Sequence, residues 1–158
     1  MMADNINIVP YDILHQPQID MLMMRISKEF SEPIFILKPN STAIPVVMPD
    51  LYLLAIINDN VAGTISLTKL NGGNSVLKKM FLHKDFRGKG IAKKLLLEVM
   101  DWAFENNIKA IYLGTMSQFI EAQKFYKSNG FEKISIGMLP EDFPINPLDT
   151  IFYQLKLV

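Results

Sequence analysis

At 158 residues, with 49% hydrophobic and 20% charged, the chain has material for one ordinary α/β domain spanning residues 1–158, and not for two. Sixteen Lys and Arg balance sixteen Asp and Glu, which argues against nucleic acid as the main partner, since phosphate binding leaves a basic surplus. The absence of cysteine excludes a disulfide framework, a Cys-based zinc site and a thiol nucleophile.

The opening residues Met1–Asn5 carry neither a basic nor an apolar signal region, and the longest apolar runs are too short to span a bilayer. The expected location is therefore the cytoplasm, with no membrane partner. Asn5–Val9 alternates as a short strand. His15–Phe30 reads as a helix with Ile19, Leu22, Met23 and Ile26 on one stripe. Pro33, Pro39, Pro45 and Pro49 make the next stretch irregular. Leu51–Ile57 and Val61–Leu70 predict a hairpin turning at Asn58-Asp59-Asn60. A turn at Asn71–Asn74 and a third strand, Ser75–Leu82, complete an antiparallel meander.

The period then lengthens. Lys89–Asn106 reads as an amphipathic helix with Ile91, Leu95, Val99, Trp102 and Ala103 inward, widened by Leu96 and Phe104. Lys109–Leu113 is a short strand and Ser117–Ser128 a helix stopped by Asn129-Gly130. Phe131–Ile136 is a strand, and Gly137–Asp149, with three prolines, a loop. Thr150–Leu157 closes as a strand with Ile151, Tyr153, Leu155 and Leu157 on one face.

The stretch from Phe81 to Lys93 joins a strand to the start of the long helix. Gly88 and Gly90 let the backbone approach a ligand closely. The N–H groups there lack intrahelical partners and lie at the positive end of the helix dipole. Arg87 and Lys89 add cationic donors. The arrangement suits a diphosphate. A P-loop needs Ser or Thr after Gly88-Lys89, where Gly90 stands. The dinucleotide fingerprint needs Gly or Ala where Lys93 stands. The plain alternative is an ordinary loop and helix cap with solvated basic residues.

Arg87-Gly88-Lys89-Gly90-Ile91-Ala92 resembles the acetyl-CoA signature of the GNAT superfamily of N-acetyltransferases, Arg/Gln-x-x-Gly-x-Gly/Ala. Ala122-Gln123-Lys124-Phe125-Tyr126 followed by Gly130-Phe131 resembles that family's second hallmark. The resemblance covers about Leu51 to Leu157. It implies an α/β (α+β) fold: a twisted, mixed, mostly antiparallel sheet with helices on both faces. Two central parallel strands, Ser75–Leu82 and Lys109–Leu113, should splay around the co-substrate.

By the same resemblance, pantetheine pairs with the backbone near Phe81 and Leu82. The diphosphate sits on the N–H groups of Gly88, Lys89, Gly90, Ile91, Ala92 and Lys93. Arg87 defines the turn or reaches a phosphate. Tyr126 is the candidate general acid beside the thioester sulfur, whereas Phe125 is read as core. The implied reaction is direct transfer of acetyl from acetyl-CoA to an amine, of a small molecule or a protein, without a metal.

The strand before the signature, Ser75–Met80, lacks the Glu that many relatives use as a base. Glu29, Glu32, His83 and His15 are only weak substitutes. Phe119 replaces a pantetheine-binding Asn, with Gln118 a stand-in. Glu141, Asp142 and Asp149 border a proline-stiffened loop that either attracts a cationic amine or is simply solvated. Gly114–Ser117 either orients the acceptor or caps the next helix. Two further readings stay open: a non-catalytic acyl-CoA-binding sensor, and a homodimer whose partner completes the site.

Overall fold

The computed structural model describes residues 5–31, 34 and 48–157. Among these, seven strands form one sheet: β1 (Ile6–Pro10), β2 (Leu51–Ile57), β3 (Asn60–Lys69), β4 (Asn74–Leu82), β5 (Ala110–Thr115), β6 (Glu132–Ile134) and β7 (Ile151–Lys156). Their spatial order is β1-β2-β3-β4-β5-β7-β6. The helices are α1 (Gln16–Ser27), α2 (Ile91–Glu105) and α3 (Ile120–Ser128). Glu32, one of the weak base candidates, lies outside the described residues, as does most of the proline-rich stretch.

The predicted hairpin forms on a two-residue turn. Asn58 and Asp59 both take positive φ, 50° and 65°. That is the turn whose twist matches the flanking strands, and Asn and Asp tolerate its left-handed backbone. β2, β3 and β4 then run antiparallel as expected. β4 and β5 are parallel, paired only at Asn74↔Ala110, Ser75↔Ile111 and Val76↔Tyr112. Beyond Val76 and Tyr112 the two strands separate, and the sheet opens.

The core has two sides. α2 and α3 cover one face, where Leu95, Val99, Ala103, Ile111, Leu113, Tyr126 and Tyr153 pack together. Leu95, Val99 and Ala103 are fully buried. Each large aliphatic side chain so buried contributes about 1.5–3 kcal/mol. On the other face, Ile19, Leu22 and Ile26 of α1 pack on Tyr52, Leu54 and Val61. Beside them Phe143, from the long loop after β6, packs on Val76, Ile134 and Phe152. Period-2 alternation explains β7: Tyr153 faces α3, while Phe152 faces the loop.

Several boundaries move for identifiable reasons. α1 ends at Ser27, three residues early, and Glu29 and Phe30 N–H fold back on Ile26 and Ser27 carbonyls as a tightened tail. α2 begins at Ile91 because Gly90, at φ 80°, is its left-handed N-cap. α3 begins at Ile120, not Ser117. Its N-cap is Phe119 and no side chain caps it, so Ser117 is not the cap. β6 stops at Ile134, before a 3-10 turn over Ile136–Met138. Phe104 does not widen the buried face of α2; it is 56% exposed. Phe143 is the reverse error: a buried side chain within the predicted loop.

Candidate active site

The turn between β4 and α2 is built by backbone constraint. Gly88 and Gly90 sit at φ 78° and 80°, a region costly for any residue with a Cβ. A Cβ at either would meet nothing within 4 Å, so both glycines face open space. The first intrahelical bond runs from Lys94 N–H to the Gly90 carbonyl at 3.1 Å. The N–H groups of Ile91, Ala92 and Lys93 therefore have no carbonyl behind them in the helix.

These groups border a cleft of about 520 Å³ lined by Leu82, Gly88, Gly90, Ile91, Ala92, Lys93, Phe125, Ser128 and Asn129. Six of the sequence-marked residues thus share one surface. Phe125, Ser128 and Asn129 were not expected there. Phe125 is half-core and half-cleft, packing on the α2–α3 side while lining the opening. Lys93 Nζ donates to Asn129 Oδ1 at 2.8 Å, tying the start of α2 to the end of α3.

The remaining marked residues lie elsewhere. Arg87 turns back: Nε and Nη2 donate to the Leu82 carbonyl at 3.0 and 2.8 Å. Its Nη1 and Nη2 donate to Glu29 at 2.6 and 3.0 Å. Arg87 therefore staples the turn shut, and its guanidinium faces protein acceptors. Lys89 Nζ stands 5.5 Å over the Phe86 ring. Phe81 pairs with Thr64, and His83 N–H donates to the Ala62 carbonyl at 2.7 Å. Strand backbone groups alternate in direction, so those of Leu82 point away from β3, toward the opening. Phe119, at the position of the expected Asn, packs edge-on to Phe30 and Phe81 at 5.0 and 6.5 Å.

Tyr126 is 5% exposed and its ring packs on Phe125, Phe131 and Tyr153. Tyr153 has its hydroxyl sealed from solvent with no partner. Burial first, and the charge of Asp149 second, hold the Tyr126 phenol above its ordinary pKa. It is a proton-bearing group at neutral pH.

Glu29 is occupied by Arg87. His83 Nδ1 accepts from Asp85 N–H at 3.1 Å, as a cap for the turn. His15 Nδ1 is buried without a partner and far along the chain, before α1.

β4 carries a bulge that the sequence does not announce. The register shifts between Thr64↔Phe81 and Ser66↔Lys78, and Lys79 takes φ 56°. Two β4 residues oppose one on β3 there. Ser66 Oγ donates to the Lys78 carbonyl at 3.1 Å, and Thr64 Oγ1 to the Lys79 carbonyl at 2.5 Å. Lys78 lies across from Ser66 on the α1 face, and Lys79 Nζ also stands on that face, 5.7 Å over the Tyr52 ring. Among the described residues no carboxylate comes within ion-pair distance of either lysine.

Asp149, ahead of β7, comes to the same opening. Thr150 N–H donates to the Thr115 carbonyl at 3.0 Å, fixing this end of the loop to the end of β5. The carboxylate lies over Gly114, where an added Cβ would be 2.8 Å from Oδ2. Among the described residues no group of three or more His, Asp or Glu could hold a metal ion, and no helix is long and apolar enough to cross a membrane.

Comparison with known proteins bears on this geometry. A family model described as acetyltransferase (GNAT) family matches residues 23–131. The zebrafish (Danio rerio) N-acetylaspartate synthetase is 32% identical over 111 residues, covering 66% of this chain and 38% of that protein. The match therefore spans well under half of that relative. A GNAT-family acetyltransferase from Staphylococcus aureus MU50 superposes with TM-score 0.81 at 34% identity, covering 98% of this chain and all of that one. The N-acetylglutamate synthase of Neisseria gonorrhoeae, solved with coenzyme A and L-arginine, shares the fold at TM-score 0.73 and 14% identity, over 96% of this chain and 33% of that one. A sheet opened between its two parallel strands, a glycine turn feeding α2 and a family match over more than half the chain agree: this protein belongs to the GNAT family of acetyltransferases.

Proposed function

We propose that the chain transfers the acetyl group of acetyl-CoA to a primary amine. The observation that carries this is the shared cleft: Leu82, Gly88, Gly90, Ile91, Ala92 and Lys93 meet at the start of α2, beside two glycines that face open space. The diphosphate of the co-substrate lies on the N–H groups that begin α2, helped by the helix dipole. Lys93 exchanges Asn129 for a phosphate oxygen. Pantetheine runs along β4 into the opening, where the Leu82 N–H is turned.

The thioester then lies between the separated strands, next to Tyr126. The amine attacks the carbonyl carbon directly, the C–S bond breaks, and Tyr126 protonates the leaving thiolate. A chain without cysteine needs no covalent acyl-enzyme for this. The zebrafish relative is named for acetylating aspartate, which supports a free amino acid as the acceptor class here.

The test is calorimetry with coenzyme A, then release of free coenzyme A from acetyl-CoA mixed with a panel of amines. Micromolar binding and amine-dependent release support the reading. Binding with no turnover on any amine would leave a sensor of acyl-CoA instead. No binding at millimolar coenzyme would remove the acetyltransferase reading altogether.

A further inference from the structure

The reaction just described requires a neutral amine, yet an amine of pKa near 10 arrives as an ammonium. Neither Glu29 nor His83 is placed to receive its proton, because each is engaged within the protein. We propose that Asp149, Lys78 and Lys79 form the acceptor half of the site, with Asp149 taking the proton of the ammonium and the two lysines holding a carboxylate of the same molecule.

The placement follows from strand parity. Tyr52, Ser66, Lys78, Val76, Gly114 and Phe152 share the α1 face of the sheet. Gly114 would direct a Cβ into Asp149 and Phe152, so the Asp149 carboxylate stands on that face at the end of β5. Lys78 and Lys79 stand on the same face of β4, beyond the point where β4 and β5 part. Tyr126 comes from the opposite face, with α3. The opening thus has a proton donor on one side and a carboxylate with two cations on the other. A thioester threaded between would meet its acid and its acceptor from opposite directions.

The charges support the same assignment. β4 presents Lys78 to Asp149, α3 presents Tyr126, and β5 and β7 present Gly114 and Phe152, which do not titrate. Burial raises the Asp149 carboxyl above the usual carboxylate range, against the lowering pull of Lys78. A raised carboxyl is a better proton acceptor at neutral pH. Burial first, and Lys78 second, lower the Lys79 ammonium. Two adjacent cations with no carboxylate within ion-pair distance among the described residues are stabilised by a bound carboxylate. An amino acid supplies both complementary groups.

The step balances as follows. Asp149 takes one ammonium proton, and the nitrogen lone pair forms the C–N bond. The C–S bond breaks and the thiolate takes the Tyr126 proton. The second nitrogen proton returns to Tyr126 through solvent, and Asp149 releases its own to solvent. One proton is released per acetyl transferred.

The proposal rests on the acetyltransferase reading, and the experiment separates the two. Wild type, Asp149→Asn, Asp149→Glu and Lys79→Met are assayed with acetyl-CoA against the standard L-amino acids and against propylamine and benzylamine, which lack a carboxylate. Coenzyme A affinity is measured for each variant by calorimetry. We expect the best acceptor to be an amino acid. In Asp149→Asn, kcat/KM falls at least about 100-fold and the acid limb of its pH profile disappears. Asp149→Glu restores that limb. Lys79→Met raises the KM for the amino acid about tenfold, the scale of one charged hydrogen bond. Coenzyme A affinity is retained throughout. Asp149→Asn with wild-type turnover and an intact acid limb would overturn the role of Asp149. Preference for propylamine or benzylamine would overturn the role of the lysines. No release with any amine would fail the underlying reading, and this proposal with it.

Discussion

Arg87 and Glu29 meet in a two-pronged ion pair, 2.6 and 3.0 Å, that joins the residues after α1 to the glycine turn before α2. The same guanidinium holds the Leu82 carbonyl. Both side chains are partly exposed, so the pair contributes at most about 1 kcal/mol to stability. Its larger effect is on geometry. Glu29→Gln should leave the melting temperature nearly unchanged while weakening coenzyme A binding several-fold. Calorimetry beside a thermal scan checks this. Equal losses in both would mean that the pair is only structural.

Gly90→Ala forces a Cβ onto a left-handed backbone, at a cost of about 1–2 kcal/mol. The melting temperature should fall by roughly 2–8 °C. The added methyl meets no protein atom, so it projects into the cleft that the co-substrate is to occupy. Coenzyme A affinity should therefore fall more than tenfold, beyond what the stability loss explains. Retained affinity in a folded Gly90→Ala protein would place the diphosphate elsewhere.

Tyr126→Phe keeps the ring that packs on Phe131 and Tyr153 and removes only the hydroxyl. Folding should survive, with kcat lower by about 100-fold. Because burial raises this phenol above its ordinary value, it stays protonated through the usual assay range. The wild-type rate should show no alkaline fall from tyrosine ionisation below about pH 10. A steady-state pH profile of both proteins tests the two statements together.

Gly114→Ala sets a methyl against the Asp149 carboxylate and the Phe152 ring, where contacts of 2.8 and 3.1 Å leave no room. The carboxylate must shift. Turnover should drop by an order of magnitude or more while coenzyme A still binds. Unchanged turnover would show that the position of Asp149 does not matter to the chemistry.

Asp149 also carries a stability cost. Its folded pKa is raised, so the folded state binds its proton more tightly than the unfolded chain does. The stabilising contribution is present at low pH and is lost as pH rises through the folded value. Asp149→Asn, which cannot ionise, should melt at a higher temperature than wild type at neutral pH. That advantage should vanish as pH falls into the acid range. Thermal scans across pH measure the difference, and a lower melting temperature at neutral pH would contradict it.

The chain's local patterns were enough for the strands, the three α-helices and the glycine turn before α2. The period of apolar residues marks the buried faces of α2 and β7, and Gly88 and Gly90 announce a left-handed backbone that residues with a Cβ adopt only at a cost. Asn58-Asp59 likewise announces the hairpin. Tertiary structure decided what those patterns leave open. Arg87 turns back on the protein because Glu29, 58 residues earlier, is brought beside it. Lys78 and Lys79 read as consecutive strand residues, yet pairing against β3 makes a bulge at Lys79 and Met80 and puts both lysines on one face. Asp149 reads as a loop acid until the ladder from β5 to β7 sets it over Gly114. Local sequence constrains the φ, ψ and amphipathic face of each segment. Which distant side chains meet is decided by strand register and the order of strands in the sheet, which only the closed fold defines.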